Sequence, residues 1–376
     1  MSIGLKFIHR LFCSVAIGKI ILGIFFLSPI VGFTQHQDVA LHWSSITEFK
    51  VYGSLNTFEN GEIGRLPNSL QNQVREKLWK LSENTAGLYL KFKTDAPYIK
   101  ITYTPGGALS FPHMPATGVS GLDLYLKQGD DFNWIRGNYA FGNNVSYAFR
   151  DIKVTDGEFW LYLPLYQSIT DFKVGIPEPY TLNPIRESET SLPLIVYGTS
   201  IAQGACASRA GMAWTNILGR SLSYPVINLG FSGNGRLEPG VIEYISSFKA
   251  SVFILDCMAN FTTGQGLNPE AAKTRLSASI ITLKKRHPHT PILMVEHAGY
   301  SDGAIQKHRY TTYKELNTVT KEVYTHLKET YGGLYLLTKE QIGLNPDSFI
   351  DGTHPNDFGM LQYAKAYKKA LDSILN

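Results

Sequence analysis

The 376-residue chain is short of cysteine, of charge and of any repeated or low-complexity tract. Lys and Arg exceed Asp and Glu by only 4, and the basic residues are scattered apart from short clusters such as Lys284-Lys285-Arg286. That leaves no positive stripe to follow a phosphate backbone, so nucleic acid is not an expected partner. Charged residues make up 18% and hydrophobic residues 44%, a balance that excludes both a disordered chain and a multi-span membrane protein. The dinucleotide spacing G-x-G-x-x-G is missing from the glycine-rich Asn228-Leu229-Gly230-Phe231-Ser232-Gly233-Asn234-Gly235, and no acidic residue is placed to read a ribose, so no nucleotide cofactor is expected. His287-Pro288-His289 has no clustered third ligand, and no metal is expected there.

Long apolar runs are also scarce, with one exception at the start. Lys6, Arg10 and Lys19 precede the run Ile20 to Phe33, after which Thr34-Gln35-His36 turn polar, the pattern of a secretory signal peptide over residues 1–35. An uncleaved anchor is the competing reading, but Lys19 leaves the run short of the ~20 residues that a spanning helix needs. Export to the periplasm, cell surface or medium is therefore expected, with no stable membrane span after cleavage. Cys13 falls in this segment, so Cys206 and Cys257 remain, either bridged or as two buried thiols.

The rest divides by its hydrophobic period. Over residues 36–185 apolar and polar residues alternate: Leu88, Leu90 and Phe92 with Tyr89, Lys91 and Lys93; Ile99, Ile101 and Tyr103 with Lys100 and Thr102; Phe172 and Val174 with Asp171 and Lys173. These predict half-buried antiparallel strands of a β-sandwich, with one helical piece over Leu70 to Leu81. Over residues 190–376 short apolar runs alternate with helical stretches. Runs at Leu194 to Tyr197, Val226 to Leu229, Val252 to Leu255, Ile292 to Val295 and Leu334 to Leu337 predict a doubly wound, five-stranded parallel sheet. Asn268, followed by Pro269, is the expected N-cap of the helix between the third and fourth runs.

Chemistry concentrates at the ends of these runs. Ser200 follows the first strand in the small-residue turn Gly198-Thr199-Ser200, at a strand's carboxyl end where open α/β sheets hold their ligands. A serine hydroxyl needs an imidazole to take its proton and a carboxylate to orient that imidazole. Asp351-Gly352-Thr353-His354-Pro355 supplies both in one turn before the last helix. Backbone N–H groups of the loop around Gly233, and the side-chain amide of Asn260 after the third strand, are candidate donors to an oxyanion. Glu296-His297 at the end of the fourth strand is a rival base. Arg209 is a candidate for a substrate contact or a salt bridge. His113 and Asp123 are candidates to reach the site from the β region.

In this order the blocks resemble the SGNH, or GDSL-like, hydrolases. Ser200, Gly233 and Asn260 match the nucleophile, glycine and asparagine blocks, and Asp351 with His354 matches the Asp-x-x-His block. Gly121-Leu122-Asp123-Leu124-Tyr125 matches the Gly-x-Asp-Leu-Tyr signature of a subgroup with an N-terminal β domain. Thr199 replaces the usual aspartate beside the nucleophile, and Phe261 replaces the aspartate after the block asparagine. The resemblance implies a flavodoxin-like hydrolase domain behind a jelly-roll-like sandwich. It also implies a Ser200, His354, Asp351 triad, with Ser200, Gly233 and Asn260 forming the oxyanion hole. An exported serine esterase removing short acyl groups, acetyl above all, from carbohydrates is the expectation. A lipid or other long-chain ester hydrolase and a non-catalytic carbohydrate-binding surface protein are the alternatives.

Overall fold

The computed structural model describes residues 40–58, 63–153, 157–222, 224–262 and 266–376. The expected signal peptide over 1–35 lies outside the described residues, as does Cys13. Among the described residues no helix is long and apolar enough to cross a membrane.

The period-two half folds into two antiparallel sheets. One runs, in spatial order, Leu41–Ser45, Ile169–Pro177, Ile99–Pro105, Val145–Phe149 and Asn138–Ala140. The other runs Leu182–Pro184, Tyr89–Thr94, Gly157–Tyr162, Asp123–Gln128 and Asp131–Ile135, with Val51–Tyr52 also paired to Tyr89–Thr94. Leu90, Phe92, Leu124 and Leu161 from one sheet meet Ile99, Ile101, Val145 and Val174 from the other in a single apolar cluster, which makes the sandwich.

One expected face is different. The alternation predicts Tyr89 and Lys91 on a wet surface, yet they are only 6% and 8% exposed. The outer face of their sheet is itself covered: Tyr89, Tyr125, Trp160 and Tyr162 share an apolar cluster with Trp214 and Leu218 of the helix Trp214–Ser221. Lys91 tolerates this because its ammonium lies 4.3 Å from the Trp160 ring and 4.2 Å from the Tyr52 ring, and 2.6 Å from a Glu189 carboxylate oxygen. The helix expected over Leu70 to Leu81 is also shorter, Glu76–Ser82 behind a 3₁₀ turn at Asn68–Leu70. Arg75 is extended rather than helical, and its guanidinium Nε bonds the Glu238 carboxylate at 2.7 Å.

The second half is a five-stranded parallel sheet ordered Val226–Gly230, Leu194–Gly198, Val252–Asp256, Ile292–Val295 and Leu334–Leu337. Counted in chain order this is 2-1-3-4-5, so the winding direction reverses between the first and third strands, the crevice where such sheets bind ligands. Side chains alternate to opposite faces: Leu194 and Val196 pack with Met360, Tyr367 and Leu371 of the helix Asp357–Leu375, while Ile195 and Tyr197 pack with residues of Pro239–Ile245, Pro269–Arg286 and Lys307–Lys328. Asn268 caps Pro269–Arg286, its side-chain oxygen accepting from Ala271 N–H at 2.8 Å.

Candidate active site

Ser200 begins a four-residue helical turn, Ser200–Gln203, directly after the strand Leu194–Gly198. Thr199 caps that turn, and Ser200 is 7% exposed at its tip. The Ser200 Oγ lies 2.8 Å from His354 Nε2, and His354 Nδ1 lies 2.7 Å from Asp351 Oδ2. The carboxylate that holds the imidazole is itself held by its own turn. Asp351 Oδ1 accepts from the N–H groups of His354 at 2.8 Å and Thr353 at 3.0 Å. Partial burial would raise the Asp351 carboxyl, but these hydrogen bonds, with the His354 ring foremost, outweigh it and hold the group below the ordinary carboxylate range. Arg309 braces the turn from outside, donating to Gly352 O at 2.8 Å and Thr353 Oγ1 at 3.1 Å.

The glycine-rich loop and Asn260 close on the same strand end. Phe231 N–H donates to Gly198 O at 3.0 Å, and Ser232 N–H to Gln203 Oε1 at 2.9 Å. Gly235 lies against Gly198 so tightly that a Cβ there would sit 1.8 Å from the Gly198 carbonyl oxygen. Gly233, at φ +64°, has open space where a side chain would project. The hydrogen-bonding partners orient the Asn260 amide with its oxygen toward the loop, accepting from Gly235 N–H at 3.0 Å and Asn234 N–H at 3.1 Å. That turns the amide NH₂ away from the loop, as a donor.

The other candidates separate cleanly. His297 is 3% exposed, accepts from Gly299 N–H at Nδ1 and exchanges backbone hydrogen bonds with the Asn317 amide. Burial, with Arg309 and Lys339 nearby, pushes its imidazole down to about 3, so it is a neutral core residue, and the imidazole on Ser200 is that of His354. Glu296 is buried and paired with Lys321. His113 does reach the site from the β region, its ring stacked 5.8 Å from that of His354. Both cysteines are buried and unbridged. Burial, and then Asp351, lift the Cys206 thiol to about 12, which leaves it an unreactive thiol rather than a thiolate. His113, Cys206, Asp351 and His354 present donor atoms that all lie within 4.8 Å of one another, a mixed set that could hold a zinc-like ion. Three separated segments supply it, one of them the Asp351 to His354 turn, so no single local spacing in the sequence announces it.

Two further residues tie the β region to the site. Asp123 is buried, and its carboxylate takes Trp134 Nε1–H at 3.0 Å, Arg209 Nη1 at 2.6 Å and Gly211 N–H at 2.7 Å, while Arg209 also donates to the Tyr125 hydroxyl at 2.6 Å. Arg209 thus makes the salt bridge that was one of its two candidate roles. Arg65, 1% exposed, donates to the carbonyls of Leu81, Asn84, Asn228 and Gly230, and so fastens the end of the second parallel strand. One arginine in a loop carries no period, so the sequence does not announce it.

Comparison with known proteins follows the same division. Residues 191–372 match the GDSL-like Lipase/Acylhydrolase family, and residues 41–182 match the N-terminus of the SGNH hydro-type esterases, with its GxDLY signature. No match is found among the curated proteins compared. A solved structure of a GDSL-like lipase candidate from Bacteroides ovatus is 29% identical with a TM-score of 0.82, covering 89% of this chain and 98% of its own. The salicylyl-acyltransferase SsfX3 from a tetracycline biosynthetic pathway is 18% identical at a TM-score of 0.72, over 89% of this chain and 97% of its own. An acetyl xylan esterase, Est2A, from the rumen bacterium Butyrivibrio proteoclasticus is 12% identical at 0.53, over 89% and 98%. These last two bear on the fold alone. With the two family matches in order along the chain, it belongs to the GDSL-like, SGNH-type hydrolases with a GxDLY N-terminal region, and it is an esterase of that family.

Proposed function

We propose that the protein is an exported serine esterase that removes short acyl groups, acetyl in particular, from carbohydrates. The observation that carries the mechanism is the aligned chain Ser200 Oγ, His354 ring, Asp351 carboxylate, at 2.8 and 2.7 Å. Ser200 Oγ attacks the ester carbonyl carbon as His354 Nε2 takes the hydroxyl proton. The tetrahedral oxyanion is met by the N–H groups of Ser200 and Gly233 and by the Asn260 amide. His354 returns the proton to the leaving sugar alcohol, the C–O bond breaks, and an acyl-Ser200 ester remains. Water, deprotonated by His354, then releases the carboxylic acid and restores Ser200. Asp351 keeps the Nδ1–H tautomer in place and balances the charge on the ring in both halves.

The carbohydrate assignment draws on the shared architecture with an acetyl xylan esterase, and export on the charged, then apolar, start of the chain. Replacing Ser200 by Ala is expected to leave a folded protein and to lower kcat on acetyl esters by on the order of 10⁶, as removal of a triad serine does elsewhere. Acetate release from acetylated glycans, with fluorophosphonate labelling of wild type and variant, measures this. Near-normal turnover in Ser200→Ala would sink the mechanism. A rate that climbs with acyl chain length would favour a lipid ester instead.

A further inference from the structure

Beside the hydrolytic centre the β region opens a groove of about 470 Å³ lined by Trp134, Tyr139, Arg136, Asn138, Thr117 and Arg209, among others. Its walls are of two kinds. Trp134 and Tyr139 are large apolar side chains left 47% and 55% exposed, among the most exposed aromatics of the described chain. They come from the two strands Asp131–Ile135 and Asn138–Ala140, which belong to different sheets of the sandwich and meet at this corner. Both rings are fixed from behind: the Trp134 indole N–H is bonded to Asp123 with the Arg209 guanidinium 4.6 Å from the ring, and Tyr139 packs on Tyr147 and Phe141. Around them stand planar amide and guanidinium groups. Rigid half-exposed rings with polar forks beside them suit a ligand with one apolar face and a rim of hydroxyls. A sugar ring has that form. An acyl chain would need a closed apolar slot, whereas this groove is open and its rings are flanked by Arg136, Asn138 and Arg209.

Two short stretches of chain join the groove to the reacting groups. Cys206 and His113 sit at the Asp351 and His354 pair, within 4.8 Å by their donor atoms, while Ser208, Arg209 and Thr117 line the groove. Thr117 Oγ1 donates to Ser208 O at 2.7 Å, so the two stretches are also tied to each other. Three residues reach at most roughly 11 Å. The groove therefore lies within a few sugar units of Ser200.

We propose that this groove is a glycan subsite in which a sugar neighbouring the acylated one stacks on Trp134 and Tyr139 and hydrogen-bonds to Arg136 and Asn138. The proposal rests on the carbohydrate-esterase reading above and deepens it. The experiment compares 4-nitrophenyl acetate, an acetylated monosaccharide and acetylated xylo-, manno- and gluco-oligosaccharides in wild type, Tyr139→Ala, Trp134→Phe and Trp134→Ala. Wild type is expected to show a lower KM for at least one oligosaccharide than for the monosaccharide. Tyr139→Ala should raise that KM roughly tenfold, with turnover of 4-nitrophenyl acetate within about twofold of wild type. Trp134→Phe, which keeps a ring, should fall between wild type and Trp134→Ala, and covers the case in which Trp134→Ala fails to fold. An oligosaccharide preference that survives Tyr139→Ala and Trp134→Phe unchanged overturns the subsite, as does a wild type with no such preference; in both cases hydrolysis of the small ester leaves the esterase reading standing. If the small ester is not hydrolysed either, both readings fall.

Discussion

At the scale of single residues, two carboxylates near the sheet's carboxyl end sit in contrasting surroundings. Asp351 is supplied with three hydrogen bonds and kept ionised. Asp256, at the end of the third parallel strand, is buried with the Tyr367 hydroxyl donating to it at 2.8 Å, and burial raises its carboxyl to about 6. Between the ordinary value of 3.8 and about 6 the unfolded chain releases this proton while the folded chain retains it. The group's contribution to stability is then fully present below about 4 and is lost as pH rises through about 6. An amide would keep the acceptor for Tyr367 without the charge. Asp256→Asn is expected to gain on the order of 2–3 kcal/mol over wild type at pH 8, and the gain should vanish at pH 4. Urea unfolding at the two pH values decides it, and an equal difference at both would show that desolvation of this carboxylate is not the cause.

At the scale of elements, the loop between the second parallel strand and the helix Pro239–Ile245 is shaped by two glycines with different demands. Gly235 is fixed by space and Gly233 by backbone angle alone. Gly235→Ala must push the Gly198 carbonyl, one residue from the turn that carries Ser200, and is expected to lose about 1–3 kcal/mol of stability together with most of the esterase activity. Gly233→Ala should cost about 1–2 kcal/mol for its left-handed backbone. Melting temperatures and acetyl-ester kinetics of the pair would separate the two effects, and a harmless Gly235→Ala would contradict the close approach. The same loop shows what the sequence makes legible. The five apolar runs and the Asn268 cap can be read because a parallel strand is a local apolar run and a cap is a local hydrogen bond. The Asp-x-x-His turn can be read for the same reason. Arg65, the Asp123 to Arg209 bridge and the stacking of His113 on His354 join residues far apart in sequence, and no period records such contacts. The alternation at Tyr89 and Lys91 misleads because it reports one buried face and is silent about a second covering layer.

At the scale of the molecule, residues 40–376 form one compact unit, and the sandwich shares its outer face with the hydrolase sheet's helices. A chain beginning near residue 190 would expose Trp214 and Leu218 where Tyr89, Tyr125, Trp160 and Tyr162 now lie, and would lose the Arg65 bonds to the second strand. Such a fragment is expected to aggregate or to melt well below the whole protein, as size-exclusion chromatography and circular dichroism would record. A monomeric fragment with unchanged melting temperature would mean the shared face contributes little.

The hydrogen bond between Ser200 and His354 spans 154 positions of sequence, from the first strand of the parallel sheet to the turn before the final helix. On the proposed mechanism a polypeptide leaving the ribosome therefore presents its nucleophile 154 residues before its base. Until the turn at 351–354 has emerged and Asp357–Leu375 has docked its apolar side, Ser200 has no imidazole beside it. On the proposed mechanism a chain truncated before residue 351 lacks the base and its orienting acid together, and is expected to lose turnover by on the order of 10⁶.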